Sequence, residues 1–298
     1  MLYLSTDKKG FTLVELLVVI SMITFLSSII FASTSSARRK ADIAAGMRFA
    51  TYNNRAFYIG AYFYFDFDNW DTSSPAEPID STRNFDPSKI SWVNGIACTS
   101  DANSYYPDAK NAILCGTNKG LSLDGTGIIP KNWDNITLST WFKWNGTTGA
   151  TNAVILGAGG GCPVGISYGG GNNNIGISTP SGIGCIFNPS TFSLESGKWY
   201  HLAVSFEGMN SKLYINGQLF KTVTSASNYA LNISQSDTKY IIGGAGSSLA
   251  TLDANGSVDD SAIYSHALTS YEVRSIYALT APEHGISREN LFAENVKK

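Results

Sequence analysis

Residues Phe11 to Ala32 form one unbroken apolar run, FTLVELLVVISMITFLSSIIFA, in which Glu15 is the one charge. At 1.5 Å per residue a helix of that length is about 33 Å long, enough for the ~30 Å hydrocarbon core of a bilayer. From Ser33 the pattern becomes polar, with Ile43, Met47, Ala50 and Asn54 at helical spacing and Phe57 and Tyr58 beyond. That narrow stripe predicts that the helix continues, so that one long helix covers residues 11–60.

Around Tyr62 the period falls from 3.6 to 2. Tyr62-Phe63-Tyr64-Phe65-Asp66-Phe67 reads as a strand, and residues 68–135 read as loop with short strands, being rich in Asn, Asp, Ser, Pro and Gly. Ile136, Leu138, Thr140, Phe142 and Trp144 then share one strand face, and Tyr200, Leu202, Val204 and Phe206 share the next. Leu213-Tyr214-Ile215 and Gln218-Leu219-Phe220-Lys221 flank Asn216-Gly217, a hairpin signal because both turn residues tolerate positive φ. Lys239–Ile242 and Val258–Tyr264 add strands. Many short strands between turns predict an all-β sandwich or jelly roll over residues 61–280. Thr269 and Glu272 have capping-box spacing and predict a short helix ending near Leu279, before Pro282. The last residues, 281–298, read as a polar tail.

Composition agrees with that division. The chain has 298 residues, 29 of them Gly, with 12% aromatic and 15% charged side chains. A charged share this low excludes charge-driven disorder, and glycine with aromatics favours strands over a helix bundle. The net charge is −2, which gives no general affinity for nucleic acid. Residues 33–60 nevertheless carry five basic groups against Asp42, whereas 61–298 carry 14 against 20 acidic ones. A basic block after an apolar run is the pattern of a membrane segment with a polar continuation. Lys8 and Lys9 precede the run and hold its start on the cytoplasmic side, so the C-terminal part lies outside the cytoplasm.

The run has three ordinary readings. A cleaved secretory signal has a shorter apolar region ending at a small-residue site. A plain signal anchor explains the length and the lysines but leaves Glu15 without a purpose. A buried core helix fits poorly with so continuous an apolar stretch.

Lys9-Gly10-Phe11-Thr12-Leu13-Val14-Glu15-Leu16-Leu17-Val18-Val19-Ile20 resembles the leader and start of type IV pilins and type II secretion pseudopilins. The resemblance covers roughly residues 8–60. It implies that a prepilin peptidase cuts between Gly10 and Phe11, that the new amine of Phe11 is N-methylated, and that residues 1–10 are lost. The partners it implies are that peptidase, other pilin or pseudopilin subunits, their assembly machinery and the cytoplasmic membrane, crossed once by residues 11–32. Glu15 becomes the fifth residue of the mature chain. A bare carboxylate in hydrocarbon costs ~2.5 kcal/mol or more. Pairing with the amine of Phe11 on a neighbouring subunit would remove that cost and set the register between subunits, as a lone polar residue does in a coiled coil.

A second resemblance runs through residues 61–280. Gly197-Lys198-Trp199-Tyr200-His201-Leu202-Ala203-Val204, Lys212-Leu213-Tyr214-Ile215-Asn216-Gly217 and Gly256-Ser257-Val258-Asp259-Asp260 resemble the laminin G / concanavalin A-like jelly roll. Ile263-Tyr264, Ala267-Leu268, Glu272-Val273, Asp80–Asn84, Gly120–Gly125 and Leu138–Lys143 follow its order. Ser261 departs from it, because the family usually has an apolar residue there, and residues 68–119 look like an insertion. The resemblance implies a head that binds a glycan or a surface protein, and no cofactor is required. Jelly rolls of this family often hold one Ca2+, and Asp66, Asp80, Asn84 and Asp259 stand at similar positions. Asp and Asn are equally ordinary turn residues, and Ca2+ needs six to eight oxygens.

The four cysteines, Cys98, Cys115, Cys162 and Cys185, all fall in the extracytoplasmic part, where disulfides persist. Three connectivities are open. The sequence-local pairs Cys98–Cys115 and Cys162–Cys185 are expected, because each closes one loop-rich segment. With no CxxC and with His201, His266 and His284 scattered, zinc is not indicated. Catalysis is not indicated either. Glu77, Glu195, Glu207 and Glu272 are the glutamates of residues 61–280, and no two share a strand face as a facing glycosidase pair requires. No GxSxG occurs, and Gly157–Gly171 (GAGGGCPVGISYGGG) lacks the lysine of a phosphate loop and reads as a flexible loop. Two other classes stay open: a membrane-anchored lectin-like module that never polymerises, and a surface glycosidase.

Overall fold

The computed structural model describes residues 13–25, 27, 60–68, 70, 78–95, 97–101, 112–116, 119–129, 135–146, 153–158, 164–169, 174–181, 184–224, 239–244 and 254–287. Two compact units divide the chain, residues 1–56 and 57–298.

In the first unit, helix α1 covers residues 13–25. Its side chains are exposed along the whole length, Leu13, Val14, Leu16, Ile20 and Phe25 among them. The two hydroxyls of this stretch are satisfied within the helix: Ser21 Oγ donates to the Val18 carbonyl at 2.8 Å, and Thr24 Oγ1 donates to that of Ile20 at 2.9 Å. Among the described residues no helix is long and apolar enough to cross a membrane. The expected span 11–32 extends beyond the described residues at both ends.

The second unit is a β-sandwich. Its strands are β1 (Ala61–Phe65), β2 (Ile90–Trp92), β3 (Thr99–Asp101), β4 (Ala112–Cys115), β5 (Leu121–Asp124), β6 (Asn135–Trp144), β7 (Ala153–Ala158) and β8 (Val164–Gly169). They continue with β9 (Asn174–Ser181), β10 (Gly184–Ser193), β11 (Trp199–Glu207), β12 (Asn210–Ile215), β13 (Gln218–Thr224), β14 (Lys239–Ile242) and β15 (Gly256–Tyr264). One sheet runs β13-β12-β11-β6-β15-β4-β3 and the other β10-β9-β8-β7-β14-β5-β2, with every pairing antiparallel. Strand β1 also joins β15, so two strands share one edge: β4 pairs Gly256–Val258 and β1 pairs Ser261–Tyr264. Asp259 and Asp260 fall in the gap between them.

The period-2 runs do what they predict. Leu138, Phe142, Tyr200, Leu202, Val204 and Phe206 from the first sheet meet Leu121, Leu123, Ile166, Tyr168, Ile177 and Ile242 from the second in one buried core. Asn216 and Gly217 both have positive φ, 50° and 73°, and turn the β12–β13 hairpin as their chemistry requires. Cys98 and Cys115 form a disulfide at the base of the β3–β4 pair, and both are buried. The expected Cys162–Cys185 pairing lies outside the described residues at Cys162.

Helix α2 (Ser270–Thr280) starts at the expected capping box, with the Glu272 amide donating to Thr269 Oγ1 and the Thr269 amide to Glu272 Oε2. It covers part of the outer face of the first sheet, where Val273 and Ile276 pack on Ala203, Tyr214, Ala262 and Tyr264. Two expectations are corrected here. Residues 281–286 are not a free polar tail: Ala281–His284 form a 3-10 turn, and Ala281 and Ile286 pack against Trp141. The glycine-rich stretch 157–171 is not all loop, because β8 occupies Val164–Gly169. Its glycine serves packing: a Cβ on Gly165 would lie 2.3 Å from the Leu156 carbonyl oxygen, so the strands need its absence.

Candidate functional site

The processing residues Gly10 and Phe11 lie outside the described residues. Glu15 stands on α1 with an exposed helix face around it.

In the head, the sheet register gathers a group of titratable side chains on the outer face beside α2. Residues Trp199, Lys143 and Ser257 form one cross-strand row, and His201, Trp141 and Asp259 form another. In the second row the imidazole of His284, carried by the turn after α2, packs over Trp141. His284 Nε2 hydrogen-bonds Asp259 Oδ2 at 3.2 Å, and Asp259 Oδ1 accepts from the Asp260 amide at 2.9 Å. Asp260 has φ +45° at a bulge in the β15–β6 pairing. Its carboxyl accepts from the Tyr64 hydroxyl, and its Oδ2 is buried without a hydrogen-bond partner. Burial pushes both acids well above the usual carboxylate range, and each also feels neighbouring negative charge, Asp68, Glu283 and Asp66 for Asp259 and Asp259 and Glu283 for Asp260.

Ser261, the departure from the family pattern, is fully buried and shares a hydrogen bond of 2.8 Å with Thr140 Oγ1. Thr140 Oγ1 also donates to the Asp259 carbonyl at 3.1 Å. The two hydroxyls satisfy each other beside the bulge, which is why a polar residue is tolerated there. His201 is buried as well. Its Nε2 meets Ser139 Oγ at 2.9 Å, and burial, reinforced by the nearby His284, lowers its pKa to about 3. It is a neutral structural histidine, sealed from solvent.

In the first row, Lys143 Nζ lies 2.7 Å from Asp101 Oδ2 and 5.1 Å from the centre of the Trp199 ring. Ser257 donates to the same carboxylate oxygen. This row combines an aromatic face, a cation, a carboxylate and a hydroxyl near the ends of β11, β6 and β15. None of these residues was legible as a group beforehand, because Asp101, Lys143, Trp199 and Ser257 are scattered along the sequence and only strand pairing unites them.

Of the four expected calcium residues, Asp80, Asn84 and Asp66 meet around the turn after the first strand, and Asp66 lies near enough to Asp259 to act on its carboxyl. Asp80 and Asn84 belong to the turn after the first strand. Asp80 Oδ1 accepts from the amides of Tyr64 and Thr82 at 2.9 and 3.0 Å. Asp80 Oδ2 accepts from Thr82 Oγ1 and from the amides of Asn84 and Phe85, at 2.7, 2.9 and 3.1 Å. Asn84 Nδ2 donates to the Ala61 carbonyl at 3.1 Å, and Asp66 Oδ2 accepts from Ser81 Oγ at 2.9 Å. Asp259 is spent on Asp260 and His284, as above. Among the described residues no three His, Cys, Asp or Glu side chains group as a metal ion requires. Of the glutamates, Glu207 pairs with Lys212 at 2.8 Å, Glu195 with Lys198 at 3.3 Å, and Glu272 caps α2.

Comparison with known proteins adds two matches on separate parts of the chain. Residues 5–31 match the prokaryotic N-terminal methylation motif. Residues 116–274 match the Laminin_G_3 model of the concanavalin A-like lectin/glucanases superfamily. No curated protein matches the sequence. Among solved structures, domain 4 of AbnA, an extracellular arabinanase from Geobacillus stearothermophilus in complex with arabinotriose, has a TM-score of 0.56 at 21% identity, covering 73% of this chain and 98% of that one. The binding domain of Paraclostridial Mosquitocidal Protein 1 has a TM-score of 0.55 at 14% identity, covering 74% of this chain and 52% of that one. A structure of botulinum neurotoxin type C, whose cell entry depends on two ganglioside molecules, has a TM-score of 0.51 at 14% identity, covering 74% of this chain and 51% of that one. The chain thus spans about half the length of the two toxin chains. At these identities the likeness is one of fold.

Proposed function

Because the chain belongs to the concanavalin A-like lectin/glucanases superfamily over residues 116–274 and carries a methylation motif over residues 5–31, we propose that it is a pilin-like or pseudopilin-like subunit with a binding head. The methylation motif carries this reading. Prepilin peptidase cuts between Gly10 and Phe11, the amine of Phe11 is methylated, and the apolar helix holds the subunit in the cytoplasmic membrane until assembly. In the filament the carboxylate of Glu15 pairs with the Phe11 amine of a neighbouring subunit, so neither charge is left bare in an apolar core. The β-sandwich is then displayed outside the cytoplasm, on a surface filament or a secretion pseudopilus.

The head binds a glycan or a surface protein. The arabinanase domain with bound arabinotriose and the ganglioside-dependent toxin support a glycan, by analogy of fold alone. No catalysis is assigned to it, and a glycan panel incubated with the processed protein tests that: turnover lost on carboxylate substitution would make it a glycosidase.

Mass spectrometry of the mature amino terminus tests the whole reading. A chain beginning with methylated Phe11 is expected, and an intact Met1 would overturn it. The substitution Glu15→Ala is expected to leave membrane insertion intact and to abolish incorporation into filaments. Equal incorporation would leave a membrane-anchored, non-polymerising lectin-like module.

A further inference from the structure

The turn after β1 has the architecture of an anion site, and the anion is part of the chain. Four backbone amides, those of Tyr64, Thr82, Asn84 and Phe85, and the Thr82 hydroxyl converge on the Asp80 carboxylate. Arg83 takes a left-handed conformation, φ +59°, in the middle of the turn, which folds successive amides toward one point. A carboxylate offers about four lone-pair directions. Five donors occupy them, and Asp80 is only 3% exposed.

We infer that the Asp80 carboxylate takes the place of a structural Ca2+ in this head, stitching the turn to the first strand so that the fold is ordered without the metal. The electrostatics and the donor count agree. A ring of N–H dipoles presents its positive end to the centre and favours a negative group there, so a cation would meet a repulsive field. Calcium would need six to eight oxygens at 2.3–2.6 Å, and both carboxylate oxygens of Asp80 are already filled by donors. Asn84 Nδ2 donates to the Ala61 carbonyl, Asp66 Oδ2 accepts from Ser81 Oγ, and Asp259 accepts from the Asp260 amide and meets His284, so bonds within the chain orient each of them. The turn also reaches β1 through its own backbone, the Ser81 amide donating to the Tyr64 carbonyl at 2.8 Å. Three independent links to one strand, Ser81 to Tyr64, Asp80 to Tyr64 and Asn84 to Ala61, do the cross-linking that a bound ion does elsewhere. This inference is independent of whether the subunit polymerises.

The test is thermal unfolding of the processed full chain in detergent, followed by tryptophan fluorescence, in CaCl2 and in EDTA. Coincident midpoints, within about a degree, are expected. Asp80→Asn sets an amide N–H2 against a ring of donors and is expected to lower the midpoint by about 5 °C or more, equally in both buffers. A midpoint several degrees higher in CaCl2 than in EDTA overturns the inference, and so does an Asp80→Asn protein as stable as the wild type. If Asp80→Asn fails to fold, the wild-type comparison decides alone.

Discussion

The imidazole of His284 lies flat on the indole of Trp141, with ring centres 4.0 Å apart and planes 6° from parallel. Around that stack, Trp141 Nε1 donates to Thr280 Oγ1 at 2.7 Å and His284 Nδ1 hydrogen-bonds the Thr280 carbonyl at 3.0 Å. A carbonyl can only accept, so this bond fixes the proton on Nδ1. The segment after α2 is thereby pinned to the sheet by the ring contact, by the His284 Nε2–Asp259 hydrogen bond and by the Trp141–Thr280 hydrogen bond.

Removing the ring should free that segment. His284→Ala is expected to cost about 2–3 kcal/mol, from the lost stack and the hydrogen bonds left open around it. Urea unfolding measures the loss. Faster amide exchange over residues 281–286, with β6 still protected, would separate local release from general damage.

Acid should weaken the head through His201. Its folded pKa, about 3, lies below the ordinary value of 6.5. The fold therefore holds the neutral ring, and its contribution is complete above pH 6.5 and drains away as the pH falls toward 3. Within that window one such group is worth up to about 1.4 kcal/mol per pH unit. Asp259 and Asp260 act in the opposite sense, because their raised pKa values favour folding below the usual carboxylate range and lose that advantage as pH rises through them. His201→Gln keeps a hydrogen-bonding partner for Ser139 and should flatten the acid limb of a stability profile measured between neutral pH and pH 4. Parallel limbs for mutant and wild type would assign the acid loss to other groups.

Reducing the Cys98–Cys115 disulfide should destabilise the head. The bridge closes a segment with a sequence separation of 17 residues. A loop of that size gives about 3 kcal/mol in the chain-entropy picture. Cys98→Ser with Cys115→Ser is expected to lower the urea midpoint by a matching amount, and reductant should then have no further effect at this bridge.

The β12–β13 turn should reject a side chain. Gly217 has φ +73°, and a Cβ there would stand 2.9 Å from the Tyr277 side chain. Gly217→Ala is expected to cost more than about 1 kcal/mol, from the left-handed strain and from displacement of α2. A thermal melt with unchanged midpoint would show that the helix gives way freely.

What could be read from the chain alone divides by range. The strands at Ile136–Trp144 and Tyr200–Phe206, the Asn216-Gly217 turn and the Thr269–Glu272 cap are local patterns, and the structure reproduces them. The gathering of Lys143 with Asp101, of Asp260 with Tyr64 and of His284 with Trp141 depends on strand order, which no local period encodes. The tail illustrates the same limit. His284 looks like one polar residue in a polar stretch, and only the position of Trp141 on the outer face makes it buried. Gly165 misled for a related reason, since the repeated glycines around it suggested a loop where close strand approach was the requirement. Among the site residues, Asp80 was legible as important and not in its role, because a carboxylate that collects amides and one that binds a cation have the same letter.

Strand β1 is the first stretch of the head after residue 60, so any tension arriving from the amino-terminal side enters the sandwich there. It must then break the ladder to β15, the Asp80 links and the Tyr64–Asp260 contact to draw Phe63 and Phe65 out of the core. The seam that closes the sandwich is also its mechanical fuse, and its strength sets how hard the sandwich can be pulled before it opens.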